Sequence, residues 1–219
     1  MSRVLLIYPG TTDFDDQARI QGELDLPLND NGLEQVREMI SALSQFSLEV
    51  VYSAPEGAAR QTADLIGSAL GVRVTTSDDL RNLNQGLWQG LQIDEIRRKY
   101  PRVIKQWEES PETIRPPDGE TISEAATRLK KGLQKPLSKH KTIAIVAPDP
   151  AASLIRQIIT GDDSRETCPI CSGRRGAGWE DLSAAAIVSP PLSDEIPVAD
   201  RAHPVSSLTA TALPGASHS

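Results

Sequence analysis

Histidine, the side chain most often used for covalent and acid–base chemistry near neutral pH, is scarce in this chain. Among its 219 residues there are three histidines, His140, His203 and His218, and none before His140. Imidazole is the group best placed to act as a nucleophile or proton carrier near neutral pH. Any such chemistry in the N-terminal half must therefore come from other side chains. Ser53 follows a short apolar run, but no base is identifiable that could activate its hydroxyl. Cys168 and Cys171, in Cys168-Pro169-Ile170-Cys171-Ser172-Gly173, supply half of a four-ligand zinc site. A second chain, or His203 or His218, would have to complete it. The alternative is two unrelated thiols in a reducing compartment, and then no cofactor is expected. A thioredoxin-like role is weaker, because the sequence after Cys171 is not a helix start.

The charge balance narrows the partners. Asp plus Glu number 30 against 23 Lys plus Arg, so the formal net charge is −7. That argues against nucleic-acid binding through bulk positive charge and suits a cytoplasmic protein. The basic run Arg97-Arg98-Lys99 fits a solvated helix face. The apolar run Val4–Tyr8 is too short for a signal peptide. No stretch approaches the roughly 20 apolar residues of a membrane span, so no membrane partner is expected.

The elements that would position a site follow from the hydrophobic pattern. Val4–Tyr8, Leu48–Tyr52, Val72–Thr75 and Thr142–Val146 read as buried strands. Leu33, Val36, Met39, Ile40 and Leu43 recur at helical spacing, with Asn31 and Glu34 as an expected capping pair. Ala59, Ala63, Ile66 and Leu70 mark a second helix that Gly71 closes. Gln92–Lys99 is a further helix, ended by Tyr100-Pro101. Thr121 and Glu124 form a capping box for a helix carrying Ile122, Ala126, Leu129 and Leu133. A helix from about Ala151 to Thr160 follows, and Ala184–Val188 is a candidate last strand. Strands alternating with helices imply an α/β fold with a mostly parallel sheet. Residues 1–188 make one domain. From Ser189 to Ser219 the chain is rich in Pro and Ser and lacks aromatics, so a disordered tail is expected.

The loops after the strands are more specific. Gly10-Thr11-Thr12 follows the first strand, and Arg19-Ile20-Gln21-Gly22 comes soon after. Tyr52-Ser53-Ala54-Pro55 leads into Gln61-Thr62-Ala63. Then come Leu80-Arg81-Asn82-Leu83-Asn84-Gln85-Gly86-Leu87-Trp88-Gln89-Gly90 and Pro116-Pro117-Asp118-Gly119-Glu120-Thr121. In this order the set resembles the histidine phosphatase superfamily, in its phosphoglycerate-mutase-like branch, over about residues 3 to 160. The resemblance implies a three-layer αβα sandwich with the pocket at the carboxyl ends of the strands. It also implies a phosphohistidine relay. One histidine attacks phosphorus, arginines and a second histidine hold the phosphate, and a glutamate serves as acid and base.

The chain departs from that pattern at each chemical position. Pro9 stands at the nucleophile position and Tyr8 at the first pocket arginine. Ala58 stands at the second arginine, Asn82 at the glutamate and Pro148 at the second histidine. Tyr8 either plugs the pocket or packs in the core. Arg19 is the pocket-rim arginine left, as a residual contact or as solvated surface. Arg60, two positions from Ala58, projects differently and substitutes poorly. Pro9 and Pro148 also suit strand ends, because proline has no donor for the ladder. The expectation is therefore a retained fold without turnover, binding phosphate esters weakly or not at all and acting through an unidentified protein partner. The alternatives are a phosphomonoesterase using atypical residues and a zinc-dependent interaction module.

Overall fold

The apolar run after Arg3 becomes an interior strand. In a computed structural model, which describes residues 2–110, 114–161 and 176–182, β1 (Arg3–Tyr8) lies between two partners. It runs parallel to β4 (Thr142–Val146) and antiparallel to β5 (Gly178–Asp181). β2 (Val50–Ser53) pairs in parallel with β4 and with β3 (Arg73–Thr76), giving the order β3-β2-β4-β1-β5. β1 after Arg3 and all of β2 are buried, as their unbroken apolar letters require. β3 is the partly exposed edge.

After the single-turn α1 (Asp13–Asp16), longer helices cover this mixed sheet. α2 (Asp30–Leu43) buries Val36, Met39 and Leu43; α3 (Gly57–Leu70) buries Ala59, Ala63 and Ile66. These two helices pack on each other, as do α6 (Ile122–Lys139) and α7 (Ala151–Thr160). The chain runs outward from β1 to β2 to β3, then returns to β4. Right-handed crossovers place the helices of the outward run on one face and those of the return on the other. The result is the expected αβα sandwich. Its main apolar cluster joins Leu5, Leu6, Ile7, Ile66, Leu129, Leu133, Ile143, Ile145 and Ile155.

Local signals hold in part. Thr121 and Glu124 form the reciprocal capping box, and Gly71 ends α3 with φ 67°. The cap of α2 is Asn29, not Asn31: its side chain accepts from the Gly32 N–H, while Asn31 already lies inside the helix. Tyr100-Pro101 does end α4 (Ile93–Lys99), but Pro101 also opens α5 (Pro101–Glu109). Proline suits that first position because its missing N–H would have no partner there. Ile20, Trp88, Ile96 and Ile114 form a second, smaller cluster beneath these helices. β5 lies earlier than the expected Ala184–Val188, which is outside the described residues, as are Cys168, Cys171 and Ser189–Ser219. β5 was hidden because Gly178-Trp179-Glu180-Asp181 has neither an apolar run nor alternation.

Gly86 shows how tightly the loops over the sheet are packed. Its φ is +50°, and a Cβ there would lie 2.0 Å from the Pro117 carbonyl oxygen. Gly86→Ala is expected to cost roughly 1–3 kcal/mol from the positive φ and the overpacking together. Urea unfolding measures it, and an unchanged midpoint would refute the account.

Candidate active site

Where the strand order reverses, connections leave β1 and β4 in opposite directions. Open α/β sheets bind ligands in the crevice outside the strand ends at such a point. Sheet pairing continues one residue past β4, with the Ala147 N–H donating to Ile7 O. Pro9 and Pro148 follow and end it. The Gly10 N–H donates to Thr62 Oγ1 at 3.3 Å, tying the loop after β1 to α3. That loop also presses on the start of α2: a Cβ on Gly10 would lie 2.4 Å from the Gly32 oxygen.

Asn82 is the hub beneath this crevice. It is fully buried. Its amide donates to Gly22 O at 3.1 Å and to Asp149 O at 3.0 Å, and its Oδ1 accepts from the Ala151 N–H. Three separate segments are thus joined by one side chain. Asn82→Ala would strand two carbonyls and one N–H. We expect a loss of roughly 2–4 kcal/mol, at about 1–3 per unsatisfied buried group with partial relaxation. Thermal denaturation checks it, and a loss under about 0.5 kcal/mol would show that water replaces the amide.

The main-chain N–H of Asn82 donates to Glu56 Oε1 at 2.6 Å. Glu56 is only 7% exposed, and its Oε2 has no hydrogen-bond partner among the described residues. Burial pushes its carboxyl pKa up; the bond from Asn82 opposes this, the Glu23 charge adds to it and Arg128 opposes it. Glu56 precedes α3 directly, yet does not cap it with its side chain. Sequence reasoning missed this residue. The signal was present: Pro55-Glu56-Gly57 places a carboxylate at a strand-to-helix junction facing the carboxyl end of the sheet.

Loops lock the hub in place. Arg128 donates to Asp79 O, Arg81 O and Asn82 O, and pairs with Glu120; the two side chains are 10% and 14% exposed. Glu120 also accepts from the Asn84 N–H. On the other side, the Ile20 N–H donates to Leu91 O and the Gly90 N–H to Ile20 O, at 3.0 and 2.8 Å. Arg19 belongs to that seam. Its guanidinium donates to Gly90 O at 2.6 Å and to Gln17 Oε1 at 2.8 Å. It is therefore a tether between two loops rather than solvated surface.

The other expected positions fall as follows. Tyr8 packs in the core at 5% exposure, with its hydroxyl 3.3 Å from Glu180 Oε1, so it does not plug the crevice. Ala58 is buried with Leu28 and Val36. Ser53 is fully buried and donates to Ala54 O, which leaves its hydroxyl committed. Arg60 is half-exposed, reaching back to Pro55 O and lying 3.8 Å from Asp25. His140 precedes β4 at the amino end of the strands, away from the crevice and beside Glu49. Among the described residues no three His, Cys, Asp or Glu are grouped to hold a metal ion. No described helix is long and apolar enough to cross a membrane.

An open, doubly wound α/β sheet with a buried carboxyl and a loop hub at its switch point defines a class of ligand-binding and catalytic folds. The chain belongs to the histidine phosphatase superfamily (branch 1), whose family model matches residues 4–166. It is 30% identical over 165 residues to the uncharacterized phosphatase PhoE of Bacillus subtilis, covering 74% of this chain and 80% of that one. It is 28% identical over 149 residues to phosphoserine phosphatase 1 of Hydrogenobacter thermophilus, covering 67% and 71%. Among solved structures, mycobacterial glucosyl-3-phosphoglycerate phosphatase in complex with VO3 matches with TM-score 0.71 at 24% identity. That match covers 82% of this chain and 91% of the other. The two sequence relatives correct the expectation of a protein without turnover. They are named as phosphatases, which favours the phosphomonoesterase alternative. The departures expected at Tyr8, Pro9, Ala58, Asn82 and Pro148 bear on only one route to phosphoryl transfer.

Proposed function

We propose that the protein is a phosphomonoesterase that uses residues other than histidine. The observation that carries this reading is Glu56, a buried carboxyl with one free oxygen and a raised pKa at the carboxyl end of the sheet. A carboxyl so tuned can act as general acid and then base nearer neutral pH. Water supplies the nucleophile. Its oxygen forms the new bond to phosphorus, and the ester P–O bond breaks with its electron pair passing to the alcohol oxygen. Glu56 protonates that oxygen and regains a proton from the water-derived oxygen, leaving an alcohol and inorganic phosphate. The start of α3, whose first turn has no side-chain cap, offers N–H groups to the phosphoryl oxygens.

Ground-state binding should be weak, because Tyr8 and Ala58 offer no guanidinium to clamp phosphate. A KM at or above about 1 mM, the upper end of the usual range, is expected. The test is steady-state hydrolysis of p-nitrophenyl phosphate, with an acid quench to trap any phosphoenzyme. Turnover without an acid-labile phosphoenzyme is the expected result. A folded protein with no turnover, or a trapped phosphohistidine, would overturn the proposal.

A further inference from the structure

A second site lies away from the crevice, between α6 and the β2–β3 edge of the sheet. It is a concave pocket of about 570 Å³, within the size range of small-molecule sites. Its walls carry Arg73, Lys131, Lys135, Lys139 and His140 against only two carboxylates, Glu49 and Asp79. Both carboxylates are engaged: Asp79 lies 3.4 Å from Lys131, and Glu49 lies 3.2 Å from the His140 ring while accepting from the Lys141 N–H. The hydrogen bond from Lys141 N–H is the main reason the Glu49 carboxyl titrates below its ordinary value, so the carboxylate is committed as an acceptor there. Arg73, Lys135 and Lys139 make no ion pair with any described residue. With His140 neutral, the pocket sets four positive charges against two carboxylates, a net of two positive charges in a chain whose net charge is −7.

The helix supplies the second argument. Lys131, Lys135 and Lys139 stand on successive turns of α6, four residues apart, so each repels the next. Eight residues of helix span about 12 Å, which sets a line of charge rather than a point. A sequence that needed only solubility would interleave acids at those positions. Pro136 and Gly132 also line the pocket. Pro136 has no N–H, so the Gly132 carbonyl receives no helical bond from it.

We propose that this pocket binds a linear, multiply charged phosphate anion, of the oligophosphate class, at a site separate from the candidate active site. The proposal does not depend on the phosphomonoesterase reading. Its concavity favours a soluble anion over a flat bilayer surface.

Calorimetric titration with inorganic triphosphate, against monophosphate at matched ionic strength, tests it. One triphosphate per chain is expected, bound at least about tenfold more tightly than monophosphate, with affinity falling as salt rises. The combined Arg73→Glu, Lys135→Glu and Lys139→Glu variant alters only exposed side chains, and circular dichroism confirms its folding. It should lose roughly a hundredfold or more in affinity. Equal binding by this variant, or no preference over monophosphate, would overturn the site. Glu56→Gln should bind triphosphate as wild type does; loss there would place the anion in the crevice and overturn it too. Cosedimentation with phosphatidylserine vesicles that triphosphate does not compete away would overturn the assignment to a soluble anion.

Discussion

Glu56→Gln should abolish most phosphomonoester hydrolysis while making the protein more stable at neutral and alkaline pH. The loss in kcat should be about 10²- to 10⁴-fold, the usual contribution of a positioned acid or base. The stability gain follows from the same group. Burial raises the folded-state pKa of Glu56 above its unfolded value. Its contribution to stability is therefore fully present below the unfolded value near 4.5 and is lost as pH rises through the raised folded value. Glutamine keeps an acceptor for the Asn82 N–H and cannot ionise. Melting temperatures of the two proteins should thus agree below about pH 4 and diverge above it, with the variant higher. Opposite signs for activity and stability separate a catalytic group from a structural one. If the variant kept full turnover, or if its melting temperature fell at pH 8, Glu56 would be an ordinary packing residue.

Arg128→Ala should cost roughly 3–5 kcal/mol, the usual penalty for leaving one member of a buried ion pair unmatched. Glu120 would remain at 14% side-chain exposure without its partner, and the carbonyls of Asp79, Arg81 and Asn82 would lose their shared donor. The double variant with Glu120→Ala should cost less than the sum of the two single changes, because no lone charge is then left behind. Guanidinium chloride unfolding of the four proteins gives the coupling directly. Additive costs, or a single-variant loss below about 1 kcal/mol, would show that solvent reaches the pair and that the loop bearing Asn82 is held by other contacts.

The chain order of strands and helices was legible because each strand carries its signal locally. Val4–Tyr8 and Thr142–Val146 are apolar without interruption, and only a strand covered on both faces tolerates that. The loop letters around Gly10, Gln61-Thr62-Ala63 and Gly86 carried the family, since close backbone approach and positive φ leave few residue choices. The sequence also placed Pro9 and Pro148 at strand ends correctly. Elements whose partners are distant were not legible. β5 has no apolar run of its own; it exists because β1 offers it an unpaired edge. Tyr8 and Arg19 looked like pocket groups, yet their partners Glu180 and Gly90 lie 172 and 71 residues away in sequence.

The candidate site divides in the same way. The resemblance implies a glutamate where Asn82 stands, and the sequence alone established that no histidine precedes His140. It could not show that a different carboxyl stands beside Asn82. Glu56 is buried in the folded chain and accepts from the N–H of Asn82, 26 residues further along. Its raised pKa comes from burial, which the bond from Asn82 opposes. Likewise, Arg73 and the lysines of α6 lie far apart in sequence and share a pocket only where strand and helix meet. Local letters determine backbone geometry, because steric limits act within a few residues. Desolvation and charge crowding depend on what arrives from elsewhere in the chain, and only the tertiary structure decides them.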